Sequence, residues 1–190
     1  VACVASRGGS PQIGLISVDG GEARQLTSLS TGASRPVWSP GGKLIAFSSR
    51  VYPDCKDDAC NKQRLEARKN SKVKARVFDG LLIRHWNHWR GERRSHVFVV
   101  PADGESAPRD LTPGPHDAPP ISLGGDPDYA ISPDEKTLAY VANTDQVVAT
   151  STNNDVFEVP IAGGKPTRVS TGKGNDNSPR YSQDGRFLAF

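Results

Sequence analysis

Short apolar runs follow polar turns at recurring places along this chain. Leu44-Ile45-Ala46-Phe47, Leu138-Ala139-Tyr140-Val141 and Phe187-Leu188-Ala189-Phe190 come after Pro40-Gly41-Gly42-Lys43, Pro133-Asp134-Glu135-Lys136 and Gln183-Asp184-Gly185-Arg186. Asp-Gly and Gly-Gly supply the positive φ of tight hairpin turns, and proline before the turn ends the incoming strand. Apolar runs of this length suit strands covered on both faces. The pattern therefore predicts strand, turn, strand three times over.

A second hairpin precedes each copy. Gly14-Leu15-Ile16-Ser17-Val18 leads through Asp19-Gly20-Gly21 to Arg24-Gln25-Leu26-Thr27. His96-Val97-Phe98-Val99-Val100 leads through Ala102-Asp103-Gly104 to Arg109-Asp110-Leu111-Thr112. Asp155-Val156-Phe157-Glu158-Val159 leads through Ala162-Gly163-Gly164 to Thr167-Arg168-Val169-Ser170. Two hairpins per unit give four short antiparallel strands, and such units repeated along a chain indicate an all-β fold, a β-propeller. Val1 to Ile45 is 44 residues and Leu138 to Leu188 is 50, within the roughly 40–50 of a four-stranded blade. Ile45 to Leu138 is 93, one blade plus an insertion, placed at residues 51–95. Val1-Ala2-Cys3-Val4-Ala5-Ser6 matches only the tail of a unit, and Phe190 ends at the phase of Phe47. The expectation is a partial β-propeller over residues 1–190, about three units, cut as a fragment from a longer array. An open three-unit array is the competing architecture, with exposed sheet edges.

Residues 59–74 lack Gly and Pro, are rich in Lys, Arg, Glu, Gln and Ala, and read as a short surface helix. After it, two of the three Trp and two of the four His fall within Arg84-His85-Trp86-Asn87-His88-Trp89. Arg84, His85, Trp86, His88 and Trp89 are the candidate binding residues, with Trp for packing and His or Arg for polar contacts. The bland alternative makes Trp86 and Trp89 anchors of the insertion against the blades. His85 and His88 alone are a weak metal signal, so no metal site is expected.

Charge sharpens the picture of this insertion. The net charge is +3, but residues 61–94 hold eleven Lys or Arg against three acids, so +8, and the remainder is −5. No recognised nucleic-acid motif accompanies the basic stretch, and a solvated insertion is the preferred reading over a nucleic-acid partner. Mean hydropathy is −0.52, and no stretch of ~18 apolar residues exists, so no membrane span is expected. Cys55 and Cys60 lie five apart in a polar loop. They can form a small disulfide, remain free thiols or, with two further ligands, bind a metal. A disulfide would imply an oxidising compartment, periplasmic or secreted. Cys3, in an apolar strand tail, is expected in the core.

The motifs of several chemistries are missing. No Gly-x-Ser-x-Gly elbow, Walker loop or His-Glu-x-x-His occurs. Gly124-Gly125-Asp126 reads as a tight loop rather than a phosphate cradle. No catalytic residue is assigned within residues 1–190, and no cofactor is implied.

The Ser-Pro-Asp-Gly-Lys-like hairpins followed by Ile-Ala-Phe-like strands resemble both Tol-translocation propellers and the N-terminal propellers of prolyl-oligopeptidase-type serine peptidases. Tyr52-Pro53-Asp54-Cys55, Ala59-Cys60-Asn61-Lys62, Arg84-His85-Trp86 and Arg93-Arg94-Ser95-His96-Val97-Phe98-Val99 favour the second group. So do Arg109-Asp110-Leu111-Thr112-Pro113-Gly114, Ser122-Leu123-Gly124-Gly125 and Ser151-Thr152-Asn153. Together they are similar to its bacterial dipeptidyl-peptidase and acylaminoacyl-peptidase branch over nearly the whole chain. Gln183 stands for the usual Pro, Glu135 for Gly, Gly41 for Asp and Thr150 for Trp. The resemblance implies a parent with a C-terminal α/β-hydrolase domain beyond Phe190, carrying a Ser-Asp-His triad that acts by an acyl-enzyme route. This segment would gate access for short peptides, whose N-terminal dipeptides or acyl-amino acids are released. The alternative is a non-catalytic periplasmic propeller scaffold of the Tol-translocation type, binding protein partners.

Overall fold

The repeated hairpins fold into successive antiparallel sheets in the computed structural model, which describes residues 1–7, 9–78, 80–121 and 127–190. The Ser122-Leu123-Gly124-Gly125 motif and the Gly124-Gly125-Asp126 loop lie outside those residues. The first sheet joins β1 (Ala2–Ala5), β2 (Gln12–Leu15) and β3 (Arg24–Gln25). β4 (Ser34–Trp38) and β5 (Leu44–Val51) begin the second. The helix α1 (Asp58–Asn70) and a small hairpin of β6 (Arg84–His85) and β7 (His88–Trp89) follow. The second sheet then resumes with β8 (Arg94–Pro101) and β9 (Arg109–Asp110), in the order β4-β5-β8-β9. The third is β10 (Tyr129–Ile131), β11 (Thr137–Ala142), β12 (Asp155–Pro160) and β13 (Thr167–Arg168), again in sequence order. β14 (Arg180–Tyr181) and β15 (Leu188–Ala189) pair alone. Two sheets thus carry the expected four strands, the first carries three and the last two. Among the described residues the series does not close on itself.

The apolar runs lie where two-sided burial puts them. Successive residues of a strand face opposite sides of its sheet. In β5, Ile45 and Phe47 pack toward the first sheet with Ile13, Phe98 and Val100. Ala46 packs the other way, with Val97, Val99, Tyr129, Leu138 and Val159. Matching cross-strand aromatic pairs recur, Phe47 on Phe98 and Tyr140 on Phe157, each with ring centroids 5.6 Å apart. Cys3 is only half-buried, its thiol beside Gly14 O, so it borders the core rather than filling it.

Each unit also repeats its polar contacts. The backbone N–H of Ile13, Val97 and Val156 donates to Thr27 Oγ1, Thr112 Oγ1 and Ser170 Oγ at 2.9, 2.9 and 3.0 Å. These bonds satisfy buried amides that the short outer strands leave unpaired. At the opposite ends of the sheets, Ser39, Ser132 and Ser182 accept from Leu44 N, Thr137 N and Phe187 N, each at 3.0 Å. Ser132 and Ser182 also donate to the turn aspartates Asp134 and Asp184 at 2.6 Å.

The first copy solves the same problem differently. Gly41 occupies the aspartate position, and the carboxylate comes from the next sheet. Ser39 Oγ donates to Glu135 Oε1, and Lys43 N donates to the same oxygen at 3.3 Å. A Cβ on Gly41 would lie 2.7 Å from that oxygen. Glu135 itself sits where the other copies have glycine. Its φ of 57° matches the 72° of Gly42 and the 69° of Gly185, a conformation that a residue with a Cβ adopts at some cost.

Successive sheets are also joined at their outer edges. Arg24 donates to Ala102 O and Asp103 O at 2.8 and 3.0 Å, and Arg109 donates to Ile161 O at 3.1 Å. The third sheet has Thr167 at the corresponding place.

Candidate functional site

The meander topology puts the tight turns at one end of the sheets and the long connections at the other. The links β5–β8, β9–β10, β11–β12 and β13–β14 all fall at that second end. They enclose a cavity of about 540 Å³, within the size range of small-molecule and peptide pockets.

One wall is built around Arg90, which follows β7. Its Nη2 donates to Asp117 Oδ2 at 2.7 Å, and the two side chains are only 10% and 9% exposed. Ser95 N donates to Asp117 Oδ1 at 2.8 Å, which fixes the carboxylate to the start of β8. Arg50 Nη2 donates to the Arg90 carbonyl at 2.8 Å. Arg94 spends its donors on the carbonyls of Pro115, Gly91 and Arg93. Burial holds the Arg50 guanidinium below its ordinary value, Asp117 offsets part of this, and Arg93 and Arg90 add to it. Burial does the same to Arg94, with Arg90 adding and Asp117 opposing. The nearby Glu92 is engaged elsewhere, by Arg64 at 3.0 Å and Arg68 at 4.0 Å. Among the described residues, the guanidinium groups of Arg50, Arg90 and Arg94 therefore share the carboxylate of Asp117.

The facing wall is rich in amides. Asn154 Nδ2 donates to Asn175 Oδ1 and Asn177 Oδ1 at 2.7 and 3.2 Å. Asn143 Nδ2 donates to Ser151 Oγ at 3.2 Å, and that hydroxyl donates to Asp145 at 2.6 Å. The buried Asp128 accepts from Ser178 N at 3.1 Å and adds a negative group to the lining. The cavity lining thus combines the Arg90 guanidinium, the carboxylates of Asp117 and Asp128, and fixed amides. Such a lining can orient a polar chain through its carbonyls, N–H groups and termini.

Of the five candidate binding residues only His85 lines this cavity, and Ser151 and Thr152 of the Ser151-Thr152-Asn153 motif line it too. The hairpin pairs Arg84 with Trp89 and His85 with His88. Trp86 turns outward at 73% exposure, with its ring over His85 at 5.8 Å. Trp89 stacks on Phe78 at 5.6 Å with Arg76 over its ring at 5.5 Å, inside the insertion. Neither tryptophan is pressed into the blade cores. Cys55 and Cys60 form a disulfide that ties the loop after β5 to the first turn of α1. Asp57 caps that helix through Cys60 N at 2.8 Å, and Asp58 accepts from Ser30 N and Oγ at 2.9 and 2.7 Å, docking it on the connection between the first and second sheets. Among the described residues no group of three or more His, Cys, Asp and Glu could hold a metal. No helix among them is long and apolar enough to cross a membrane.

Arg90, Asp117, Asp128 and the asparagines carry no local signature, and their distant positions in the chain meet only through the fold. Another pair looks catalytic at first sight. The buried His96 binds Asp110 Oδ2 through Nδ1 at 2.7 Å. Its Nε2 faces Gly114 O at 3.0 Å, however, so no hydroxyl stands where a nucleophile would. The pair belongs to the sheet edge, at the place that Gln12 and Asp155 occupy in the neighbouring units.

No protein-family model matches the chain. The curated dipeptidyl-peptidase 5 of Porphyromonas endodontalis is 27% identical over 188 residues, covering 96% of this chain and 26% of that protein. Dipeptidyl-peptidase 5 of Porphyromonas gingivalis is 29% identical over 219 residues, covering 92% of this chain and 32% of that protein. The chain is similar to these dipeptidyl-peptidases 5 along nearly all of its length. It spans about a quarter to a third of the length of these relatives. Among solved structures, the tricorn protease matches 98% of this chain at a TM-score of 0.58 and 10% identity, with 13% of that chain covered. A TolB from Agrobacterium tumefaciens matches 99% at 0.54 and 18% identity, with 52% covered. TolB from Acinetobacter baumannii matches 94% at 0.52 and 14% identity, with 31% covered. These likenesses concern the fold, which is of the propeller type.

Proposed function

We propose that this chain is the propeller part of a serine peptidase of the prolyl-oligopeptidase type, which releases dipeptides or acyl-amino acids from the N-termini of short peptides. The observation that carries the reading is similarity to dipeptidyl-peptidases 5 along 96% of the chain. The polar cavity at the long-connection end supports it, because a gating propeller needs one face that meets the substrate. On this reading the four-strand unit is the blade, residues 1–190 form one partial propeller with its insertion at 51–95, and the triad lies in an α/β-hydrolase domain beyond Phe190. The insertion that carries Arg84, His85, Trp86, His88 and Trp89 lies near the chamber on this reading, and of the five His85 is the one on its wall. The disulfide of Cys55 and Cys60 favours a periplasmic or secreted enzyme. The likeness to TolB also fits a non-catalytic scaffold, but it is a likeness of fold alone.

Labelling the full-length protein with a fluorophosphonate serine probe tests this. Labelling that disappears when the downstream serine is replaced, together with dipeptide release from a short peptide, is the expected result. A folded full-length protein that takes no label and cleaves no peptide is a scaffold. Within an active enzyme, His85→Ala is expected to lower kcat/KM, and an unchanged value removes His85 from the chamber.

A further inference from the structure

Arg90 has one feature that its local contacts leave unexplained. Its Nε is buried and has no hydrogen-bond partner. A guanidinium can hold a carboxylate through two parallel bonds from Nε and one Nη. Here Asp117 takes Nη2 alone, while its other oxygen is bound to Ser95 N. A buried donor without an acceptor is destabilising, and such a group in a native protein calls for an explanation, a missing partner among them. The side chain is nine-tenths buried and lines the cavity. The surrounding charge agrees: Arg50 and Arg94 donate to backbone carbonyls, and among the described residues the carboxylate that acts on both is Asp117. The lining also contains Asp128, His85 and His116. Asp128 accepts from Ser178 N on a different connection.

We propose that Arg90 is the carboxylate-receiving group of this cavity, engaging an acidic group of a peptide through the idle Nε edge of its guanidinium. The inference rests on the peptide-substrate reading above. It deepens that reading by naming a specificity: peptides with a carboxylate in reach are preferred over the same peptides without one. The carboxylate comes from the peptide's C-terminus or from an acidic side chain. Asp117 acts as the resident competitor and keeps the guanidinium fixed when the cavity is empty.

The test uses the full-length protein and three otherwise neutral short peptides. One has a free C-terminus, one is its C-terminal amide, and one is the amide with a glutamate side chain. Both kcat/KM and calorimetric Kd are measured. The wild type is expected to favour at least one carboxylate peptide over the plain amide by about tenfold, as a charge-assisted bond to a buried guanidinium allows. Preference for the first peptide identifies the C-terminus as the source, and preference for the third identifies a side chain. Arg90→Gln brings the ratio to near one and Arg90→Lys leaves it intermediate. Asp117→Asn keeps an acceptor for Ser95 N but removes the competing charge, and it raises the ratio about threefold. A purely structural Arg90 would show none of these changes in ratio. A wild-type ratio near one overturns the proposal without any variant. Cleavage without preference sinks the Arg90 site and leaves the peptidase reading standing. Preference in calorimetry without cleavage does the reverse.

Discussion

The exchange between Gly41 and Glu135 makes a quantitative prediction. Replacing Glu135 by Gly removes the carboxylate that Ser39 Oγ and Lys43 N share. Ser39 is buried, and a hydrogen bond to a charged acceptor contributes about 1.5–3 kcal/mol there. The substitution also relieves a left-handed backbone, φ 57° at Glu135, which returns about 1 kcal/mol. The net expectation for Glu135→Gly is a loss of about 1 kcal/mol. Gly41→Asp alone puts a second carboxylate against the first, with its Cβ 2.7 Å from Glu135 Oε1. The glutamate tip is flexible and swings away, so the loss is again about 1 kcal/mol, from repulsion between the two carboxylates. The double variant recreates the arrangement of the other two hairpins, with a local aspartate on the serine and glycine at positive φ. It is expected within about 0.5 kcal/mol of wild type, a coupling of about 2 kcal/mol between positions 41 and 135. Urea unfolding of the four proteins measures this. A double variant about 2 kcal/mol less stable than wild type, the additive result, would show that the two positions are not compensating.

Three further outcomes are expected. The Asp184 carboxyl is held below the usual 3.8 by the Ser182 hydroxyl first and then by Arg186 N. It stabilises the hairpin at pH values above its unfolded value, and the effect is lost as pH falls through the lower folded one. Ser182→Ala moves the NMR titration midpoint of Asp184 back up toward 3.8, and an unmoved midpoint refutes the assignment. Leu138, with no exposure and packed between the second and third sheets, costs about 2–5 kcal/mol when cut to Ala. A loss under 1 kcal/mol by denaturant unfolding would mean that this core is loosely packed. Arg24→Ala and Arg109→Ala remove bonds in separate joints. Each is expected to cost about 1 kcal/mol, and together they add to within about 0.5 kcal/mol.

The hairpins were legible in the sequence because their information is local. Ser39, Ser132 and Ser182 each bond five residues ahead, and the apolar runs after them are long enough to show burial on both faces. The helix was legible for the same reason, although it ends at Asn70 rather than continuing to 74. The site was much less so. Arg90 meets Asp117 across 27 positions, and Asn154 meets Asn177 across 23, through connections whose composition resembles any polar loop. The cluster of Trp and His drew notice by its density, yet most of it decorates the hairpin surface and only His85 reaches the cavity. Gly41 and Glu135 looked like two unrelated departures from the repeat. They are one contact 92 to 96 positions apart, invisible until successive sheets are stacked.

The arginine joints between sheets have a consequence for how such a chain can change over time. Arg24 and Arg109 grip carbonyl oxygens and make no use of their neighbour's side chains. A main-chain oxygen is present whatever residue carries it, so the joint tolerates replacement of much of the adjoining sequence, with Gly104, where a Cβ would lie 2.8 Å from Arg24 Nη1, as an exception. A copied or exchanged unit that brings its own arginine can dock beside an unfamiliar neighbour without a matching mutation there. The grip therefore works as a universal coupling. It lets the units drift apart in sequence, and lets one of them acquire a 42-residue excursion between its middle strands, residues 52–93, while the stacking stays as it was.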